Sequence, residues 1–398
     1  MNPRSLHLCT SDAWGGLEIY ACTLMLELRN AGIGVVAICK PGSRAETFLL
    51  EHGLEVAHLP NLRPVSPASI RTLRKLVRER EIDVVHVHYH RDVWPASLAL
   101  MGDSVRRLIL SIYMGVPPKR DPLHRLIYSR VDAIVTSSED LNRRLPELYA
   151  VPQERVRFVP YGRLLARYRR DGKRRAEIRA FHRVGESELL VGTMLRIDPG
   201  KGVMDFAESF PYIESGLRAG VVYIIVGEPT RKGDRGRDEP PFEARGEAYL
   251  RELESFIAAN DLGGKVILAG FQNDLTGYLS AMDVFVFPSR DELYSLVVLD
   301  AMGMELPIVA AAAGGNLAQI EDGVTGLLYR VGDSRDLAAK LTQYLSDPGL
   351  RRRHGRAARE SVEQKHDMAK TIGCLRELYA PWAPWAPRPA GTERSEQG

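Results

Sequence analysis

Arg196 and Lys201 stand in L-R-I-D-P-G-K-G, and Glu292 and Asp300 stand eight positions apart in P-S-R-D-E-L-Y-S-L-V-V-L-D of a 398-residue chain. These are two cations and two carboxylates in settings where charge can do chemistry. Cleaving an activated phosphate ester puts negative charge on the departing group, and fixed cations stabilise it where water is excluded. Ionised carboxylates accept several hydrogen bonds each and so suit hydroxyl-rich ligands. Gly200 and Gly202 flank Lys201 and favour a loop whose backbone can approach a phosphate. Without that setting, two basic residues after a strand would be surface charges and a loop glutamate would be solvated.

The elements around these residues can be read from pattern. Val284 to Phe287 is an apolar run of β-formers ended by Pro288-Ser289, which predicts a buried strand opening into a polar loop that carries Glu292. A helix should follow from about Ser295, with Leu296, Leu299 and Met302 on its buried face and Asp300 turned toward the same crevice as Glu292. Open parallel sheets bind ligands beyond the carboxyl ends of their strands, where helix N-termini offer unpaired N–H groups to anions.

The whole chain alternates in this way. Strands are expected at Leu6–Thr10, Val35–Cys39, Leu54–Leu59, Val84–His88, Leu108–Ile112, Ala133–Thr136 and Val156–Val159, then at Leu190–Met194, Val221–Val226, Val266–Leu268, Val284–Phe287 and Ile308–Ala311. Helical segments lie between most of them, so the fold class is α/β with two doubly wound parallel sheets. Residues 1–165 form the first Rossmann-like domain and 186–365 the second. The arginine-crowded stretch 166–185 reads as a basic linker, 366–380 as a last helix, and the Pro-rich tail 381–398 as disordered. The charged insertion 228–246 reads as a mobile surface loop.

In the first half, Gly15-Gly16 opens a helix after the first strand, where free N–H groups could face a ligand or where the pair is simply a turn. His86, His88 and His90 alternate at strand period and share one face. Three in-line positions do not by themselves make the tetrahedral array zinc prefers, so contact with a substrate or plain packing is set beside a metal site, with Asp92 as a partner. The basic helix Ile70 to Arg80 either touches anionic headgroups or is a solvated face. Composition excludes more than it assigns. A net charge of +3 does not argue for nucleic acid, and 44% hydrophobic with 26% charged residues is ordinary for a globular protein. Cys9, Cys22, Cys39 and Cys374 lack C-x-x-C spacing, so neither a disulfide framework nor a zinc ribbon is expected and a reducing cytosol is the simplest setting. No apolar run approaches the roughly 20 residues a membrane span needs. Any membrane contact would be peripheral, at the inner face.

The ordered motifs, E-x7-acid, A-M, P-I-V, G-G and E-D-G-V-T-G-L-L, together with Gly15-Gly16-Leu17-Glu18, Arg196 and Lys201-Gly202, resemble those of family-4 retaining glycosyltransferases of the GT-B fold. That resemblance spans most of the chain. It implies two domains facing a cleft, with the last helix crossing back to the first, and transfer of a sugar from a nucleotide diphosphate sugar to a hydroxyl acceptor with retention, without a metal or other cofactor. By the same resemblance, Arg196, Lys201 and Glu292 are catalytic. The donor is held by them with Gly15, Gly16, Tyr294, Ser295, Leu296 and Asp300, and the acceptor, which includes the case of a lipid-linked one, by Asp12, His88 and Tyr113. The pathway expected is cell-surface glycan or glycoconjugate synthesis. The absence of an Asp-x-Asp pair agrees with a metal-free site.

Departures from the family pattern are specific. Tyr113 replaces an expected histidine, Val159-Pro160-Tyr161-Gly162-Arg163-Leu164 replaces P-N-G-x-D, and Leu293 and Ser295 replace glycines. Glu305 stands for the glycine before L-P, Ala318 for an acid after G-G, and Asp300 for the usual ribose-binding glutamate, one methylene longer. They keep two rivals open: a non-catalytic sugar-nucleotide binder and a sugar-nucleotide epimerase on the same fold.

Overall fold

The computed structural model describes residues 2–115, 117–232 and 241–380. They form two compact units, the chain up to Val159 together with the chain from Ile372, and Pro160–Thr371. Residues 233–240 of the charged insertion and the tail 381–398 lie outside the described residues.

The first unit is a seven-stranded parallel sheet of β1 (Arg4–Cys9), β2 (Gly34–Cys39), β3 (Glu55–Ala57), β4 (Val84–Val87), β5 (Arg107–Ile112), β6 (Ala133–Thr136) and β7 (Val156–Phe158), in the order β3-β2-β1-β4-β5-β6-β7. The second is a six-stranded parallel sheet of β8 (Leu189–Met194), β9 (Val221–Val226), β10 (Val266–Gly270), β11 (Val284–Phe287), β12 (Ile308–Ala311) and β13 (Leu327–Tyr329), in the order β10-β9-β8-β11-β12-β13. Both are doubly wound, as the alternation predicts. β13 was not foreseen, because its three residues follow a glycine-rich turn and are too few to show a period.

The central strands are continuous apolar runs because helices cover both faces. Val221–Val226 is buried at all six positions and Val284–Phe287 at all four. Fully burying each such side chain contributes about 1.5–3 kcal/mol. The second core continues into Phe206, Leu253, Leu341 and Tyr344 of the flanking helices. Helix starts follow local chemistry: Ser43, Ser66, Asp121 and Ser138 each accept a backbone N–H of the first turn. Cys9, Cys22 and Cys39 are buried free thiols and Cys374 is a partly buried one. No helix among the described residues is long and apolar enough to cross a membrane.

The arginine-rich stretch expected as a linker is instead a helix, Gly172–Phe181, built into the second unit. Its arginines take the place of apolar side chains. Arg175 and Arg179 share Asp283, at 2.7 and 3.2 Å, and Arg179 also donates to the carbonyls of Gly185 (2.7 Å) and Glu188 (2.6 Å). These arginines satisfy carbonyls in the turns leading into β8 and β11, which is why a segment poor in large apolar residues still docks. The boundary between units falls earlier, at Val159/Pro160. At the other end Tyr379 and Leu378 belong to the first unit: the Tyr379 hydroxyl meets His86 and the Leu378 carbonyl accepts from Arg107.

Removing Arg179 leaves buried carbonyls and part of Asp283 uncompensated. Arg179→Ala should lower the stability of the second unit by about 3 kcal/mol in urea unfolding, whereas Lys173→Ala on the exposed side of the same helix should stay within about 0.5 kcal/mol.

Candidate functional site

In the second unit the chain leaves β8 toward β9 on one side, while β11 pairs β8 on the other. The crevice between β8 and β11 is therefore the topological switch point, where doubly wound sheets bind ligands. It is flanked by the loop Leu195–Gly202 and the loop Pro288–Ser295.

Glycines bring these loops together. Gly202 has φ +69°, and a Cβ there would lie 2.1 Å from the Pro288 carbonyl oxygen. The Arg290 N–H donates to Gly200 O at 3.1 Å, and the Arg290 guanidinium is tied to the buried Asp205. From the far side, Cβ atoms on Gly314 and Gly315 would fall 2.4 Å from Glu292 O and 2.1 Å from Leu293 O, and Gly315 N–H donates to Glu292 O at 2.7 Å. No larger residue could sit at Gly202, Gly314 or Gly315 without moving backbone. Glu292 is thus fixed by contacts on both flanks of its loop.

The outcome is an ion pair between Lys201 Nζ and a Glu292 carboxylate oxygen, with side chains 18% and 29% exposed. Arg196 is not joined to that pair. It is 61% exposed and donates to Thr230 Oγ1 at 2.8 Å, beside Asp198, which also accepts the Thr230 N–H at 3.1 Å. The expected convergence of Arg196, Lys201 and Glu292 is realised for the last two, while Asp198 and Thr230 hold Arg196 toward the start of the β9 loop.

Beyond Glu292, Tyr294 hydrogen-bonds His366 Nε2 at 2.8 Å. Gln319 clasps Ser295, donating to its carbonyl at 2.8 Å and accepting its N–H at 2.9 Å. The helix then runs from Leu296 to Gly303, and the Ser295 side chain makes no cap to it. Leu296 is half-buried at its first position, while Leu299 and Met302 are buried as expected. Asp300 corrects the expectation of a residue facing the crevice. It is 2% exposed, and both carboxylate oxygens are taken by the Arg163 guanidinium, one from Nε at 2.6 Å and the other from Nη2. Asp300, which departs from the family pattern, and Arg163, at the unspecified position of the P-N-G-x-D motif, meet as one bidentate pair.

In the first unit the switch point lies between β1 and β4. Thr10, just after β1, donates its N–H (3.0 Å) and hydroxyl to Asp92, which follows β4. Asp92 is buried, and that burial pushes its carboxyl up to about 6 against the opposing pull of the Thr10 hydrogen bonds. Asp92 thus serves Thr10 and not a histidine. Gly15 caps the helix Gly16–Asn30, but its N–H is not free as expected: Glu18 accepts it at 3.1 Å and also accepts the Ser11 hydroxyl at 2.8 Å. Gly15 has φ −139° and room for a Cβ, so neither conformation nor crowding demands glycine there. Asp12 is exposed and ion-paired with Lys40.

His86 and His88 share a face, but the strand ends at Val87 and the chain turns through a short 3-10 helix, His90–Asp92, which takes His90 out of the set. Its place is filled by His7 of β1, in register with His86. One ring nitrogen from each of His7, His86 and His88 lies within 4.8 Å of the other two, and all three rings are buried. Every ring nitrogen has a protein partner. His7 meets Ser5 (3.0 Å) and His88 (2.9 Å), His86 meets Ser111 (2.7 Å) and Tyr379 (2.5 Å), and His88 meets Tyr113 (2.7 Å) on its other nitrogen. The signal for His7 was available as the alternation in R-S-L-H-L-C, but only strand pairing shows that β1 lies beside β4.

Burial holds the three imidazoles neutral: His88 is pushed down to about 3, and His7 and His86 fall well below their ordinary value, with repulsion from their histidine neighbours adding to it. In the unfolded chain each protonates near 6.5. Stability is therefore lost as pH falls below about 6.5, down toward the range where the folded rings finally protonate. Asp92 acts in the opposite sense, binding its proton near 6 in the fold and near 3.8 unfolded. Within this group alone, three histidines against one aspartate leave roughly two extra protons on the unfolded state near pH 5.5, or about 2–3 kcal/mol per pH unit, and the buried His366 of the second unit, pushed down to about 4, adds to the loss in the same direction. Thermal melts of the wild type and His86→Gln between pH 7.5 and 5 should show this slope and its reduction in the variant.

With this geometry in hand, the likenesses to known proteins fall into place. The family profile described as Glycosyl transferases group 1 matches residues 174–361, and that described as Glycosyltransferase Family 4 matches residues 14–167. The chain is 26% identical to D-inositol 3-phosphate glycosyltransferase of Saccharomonospora viridis, over 93% of this chain and 90% of that one. It is 24% identical to N-acetyl-alpha-D-glucosaminyl L-malate synthase of Bacillus anthracis, over 79% of each. In fold it resembles Anabaena Alr3699/HepE, crystallised with UDP, at a TM-score of 0.79 and 19% identity over 94% of this chain and 99% of that one. Two doubly wound parallel sheets, the two profiles in succession and these relatives place the chain in the group 1, family-4 glycosyltransferases of GT-B architecture.

Proposed function

We propose that the second unit binds a nucleotide diphosphate sugar at the β8/β11 crevice and that the enzyme transfers the sugar to a hydroxyl acceptor with retention at the anomeric carbon. The observation that carries this reading is the Lys201–Glu292 pair at the switch point, held by glycines that allow its loops to touch. Before donor binds, each partner neutralises the other. A diphosphate arriving at Lys201 would take over its charge and release the Glu292 carboxylate to accept hydrogen bonds from sugar hydroxyls. Arg196, on its exposed side of the same loop, would add a second cation by turning from Thr230. The first N–H groups of the Leu296–Gly303 helix would receive phosphate oxygens, with Tyr294 and Ser295 setting the loop that leads to them.

In this mechanism the departing phosphate oxygen takes the proton of the acceptor hydroxyl as that oxygen bonds the anomeric carbon on the same face, so no carboxylate nucleophile is needed. Lys201 and Arg196 stabilise the leaving diphosphate in the role a divalent metal would otherwise fill, and the expected rate is unchanged by EDTA. The Gly15-Gly16 turn is assigned to the donor, consistent with a glycine that the backbone itself does not require. Asp12, His88 and Tyr113 are assigned to the acceptor. Acceptors proposed are hydroxyls of glycan or glycoconjugate precursors, lipid-linked ones included. For a lipid-linked acceptor, the exposed Arg71, Lys75 and Arg78 of the helix Pro67–Glu79 supply the charge to meet anionic headgroups at the inner membrane face. Arg74 is spent differently, donating to the carbonyls of Leu98 and Ala99.

The test pairs UDP-glucose, UDP-N-acetylglucosamine and GDP-mannose with D-inositol 3-phosphate, L-malate and glycerol, each donor also being incubated alone. Lys201→Ala should reduce kcat by about 10²–10³-fold while leaving the unfolding midpoint unchanged. Undiminished transfer by Lys201→Ala would remove the leaving-group role, and an isomerised donor formed without acceptor would mark an epimerase.

A further inference from the structure

The buried histidines of the first unit form a hydrogen-bond chain whose direction can be worked out proton by proton. Ser5 has one hydroxyl proton and donates it to the Gly34 carbonyl at 3.0 Å. Toward His7 it can then only accept, so His7 carries its proton on Nε2. A neutral His7 has a bare Nδ1, which must accept from His88 Nε2–H at 2.9 Å. That leaves His88 Nδ1 bare, and it must accept the Tyr113 hydroxyl proton at 2.7 Å. Burial of all three rings excludes the doubly protonated imidazole that would break this logic. His86 sits outside the chain, between Ser111 and Tyr379.

Tyr113 stands one residue beyond β5, at the carboxyl edge of the sheet next to the β1/β4 switch point, half-buried and edge-on to Tyr20 at 5.7 Å. We propose that His7 and His88 are positioning residues that commit the Tyr113 proton inward, so that Tyr113 meets the substrate as a hydrogen-bond acceptor and favours hydroxyl donors over carbonyl or phosphate oxygens. This deepens the assignment of Tyr113 to the acceptor side and rests on that reading. A histidine at this position could carry charge and donate outward; a tyrosine held in this way does neither.

Two measurements decide it. Long-range ¹H–¹⁵N NMR of protein labelled at histidine should show His7 and His88 as Nε2–H tautomers with unprotonated Nδ1, whether or not any donor or acceptor binds. An Nδ1–H tautomer at His88 overturns the proposal. With whichever acceptor of D-inositol 3-phosphate, L-malate or glycerol is glycosylated, Tyr113→Phe and His88→Ala should each raise the acceptor KM about 10-fold with kcat within threefold. The double variant should be no worse than Tyr113→Phe alone, and His88→Asn, whose amide oxygen replaces Nδ1, should recover most of the loss. Ser111→Ala, which removes the hydroxyl bonded to His86 outside the chain, serves as the packing control and should leave KM unchanged. Additive losses, or equal losses in Ser111→Ala, would reduce the chain to packing. Failure to bind UDP would defeat the donor reading, and the tautomers would still be decided by NMR.

Discussion

The close approach of three loops at the carboxyl end of the second sheet is the constraint on which the candidate site depends. Lys201 and Glu292 are ninety-one positions apart in sequence, and neither is held by its own loop alone. Gly202 lets the β8 loop lie on the Pro288 carbonyl, and Gly314 and Gly315 let the β12 loop lie on Glu292 and Leu293. A Cβ at any of these positions would open the crevice from the backbone outward, before any charge was altered. Steric permission comes first here, and electrostatics uses the space it creates.

Much of this was readable before any coordinates. Strand after strand follows from runs such as V-V-Y-I-I-V and V-F-V-F, because burial on both faces leaves an unbroken apolar signature. The helix beginning at Leu296 and the loop carrying Glu292 were equally plain. Other features depend on strand order, which no local pattern encodes. His7 joins His86 only because β1 pairs β4, and its own neighbours in sequence give it no more prominence than His52 or His58. The arginine-rich stretch misled for a different reason. Composition marks such a run as solvated, but the guanidinium forks of Arg175 and Arg179 find carbonyls and Asp283 in the turns before β8 and β11 and bind the helix as apolar residues would.

Arg163 and Asp300 show how a motif can persist while its chemistry moves. Read from spacing, Asp300 completes an acid pair with Glu292. In the fold it is the buried half of a bidentate pair, and an ionised carboxylate with both oxygens engaged by a guanidinium has little left to offer a ribose. The pair joins the segment Pro160–Arg167 to the helix Leu296–Gly303 within the second unit.

The two sheets solve the same problem with opposite electrostatics. Around the β8/β11 crevice the polar groups are charged and partly exposed, an arrangement suited to a ligand that arrives carrying compensating charge. Beneath the β1/β4 crevice they are neutral and fully enclosed, and Asp92, the one carboxyl at that crevice buried deeply enough to titrate near 6, is held by Thr10. A buried charge without a partner costs several kcal/mol, so the first unit could not carry cations like those of the second under its sheet without a permanent counter-ion. Neutral imidazoles avoid that cost and still transmit direction, since each ring that donates on one nitrogen must accept on the other. The two switch points therefore differ in kind, neutral rings passing hydrogen-bond direction in one unit and partly exposed charges facing the crevice in the other, a difference set by how deeply each sheet buries its polar groups.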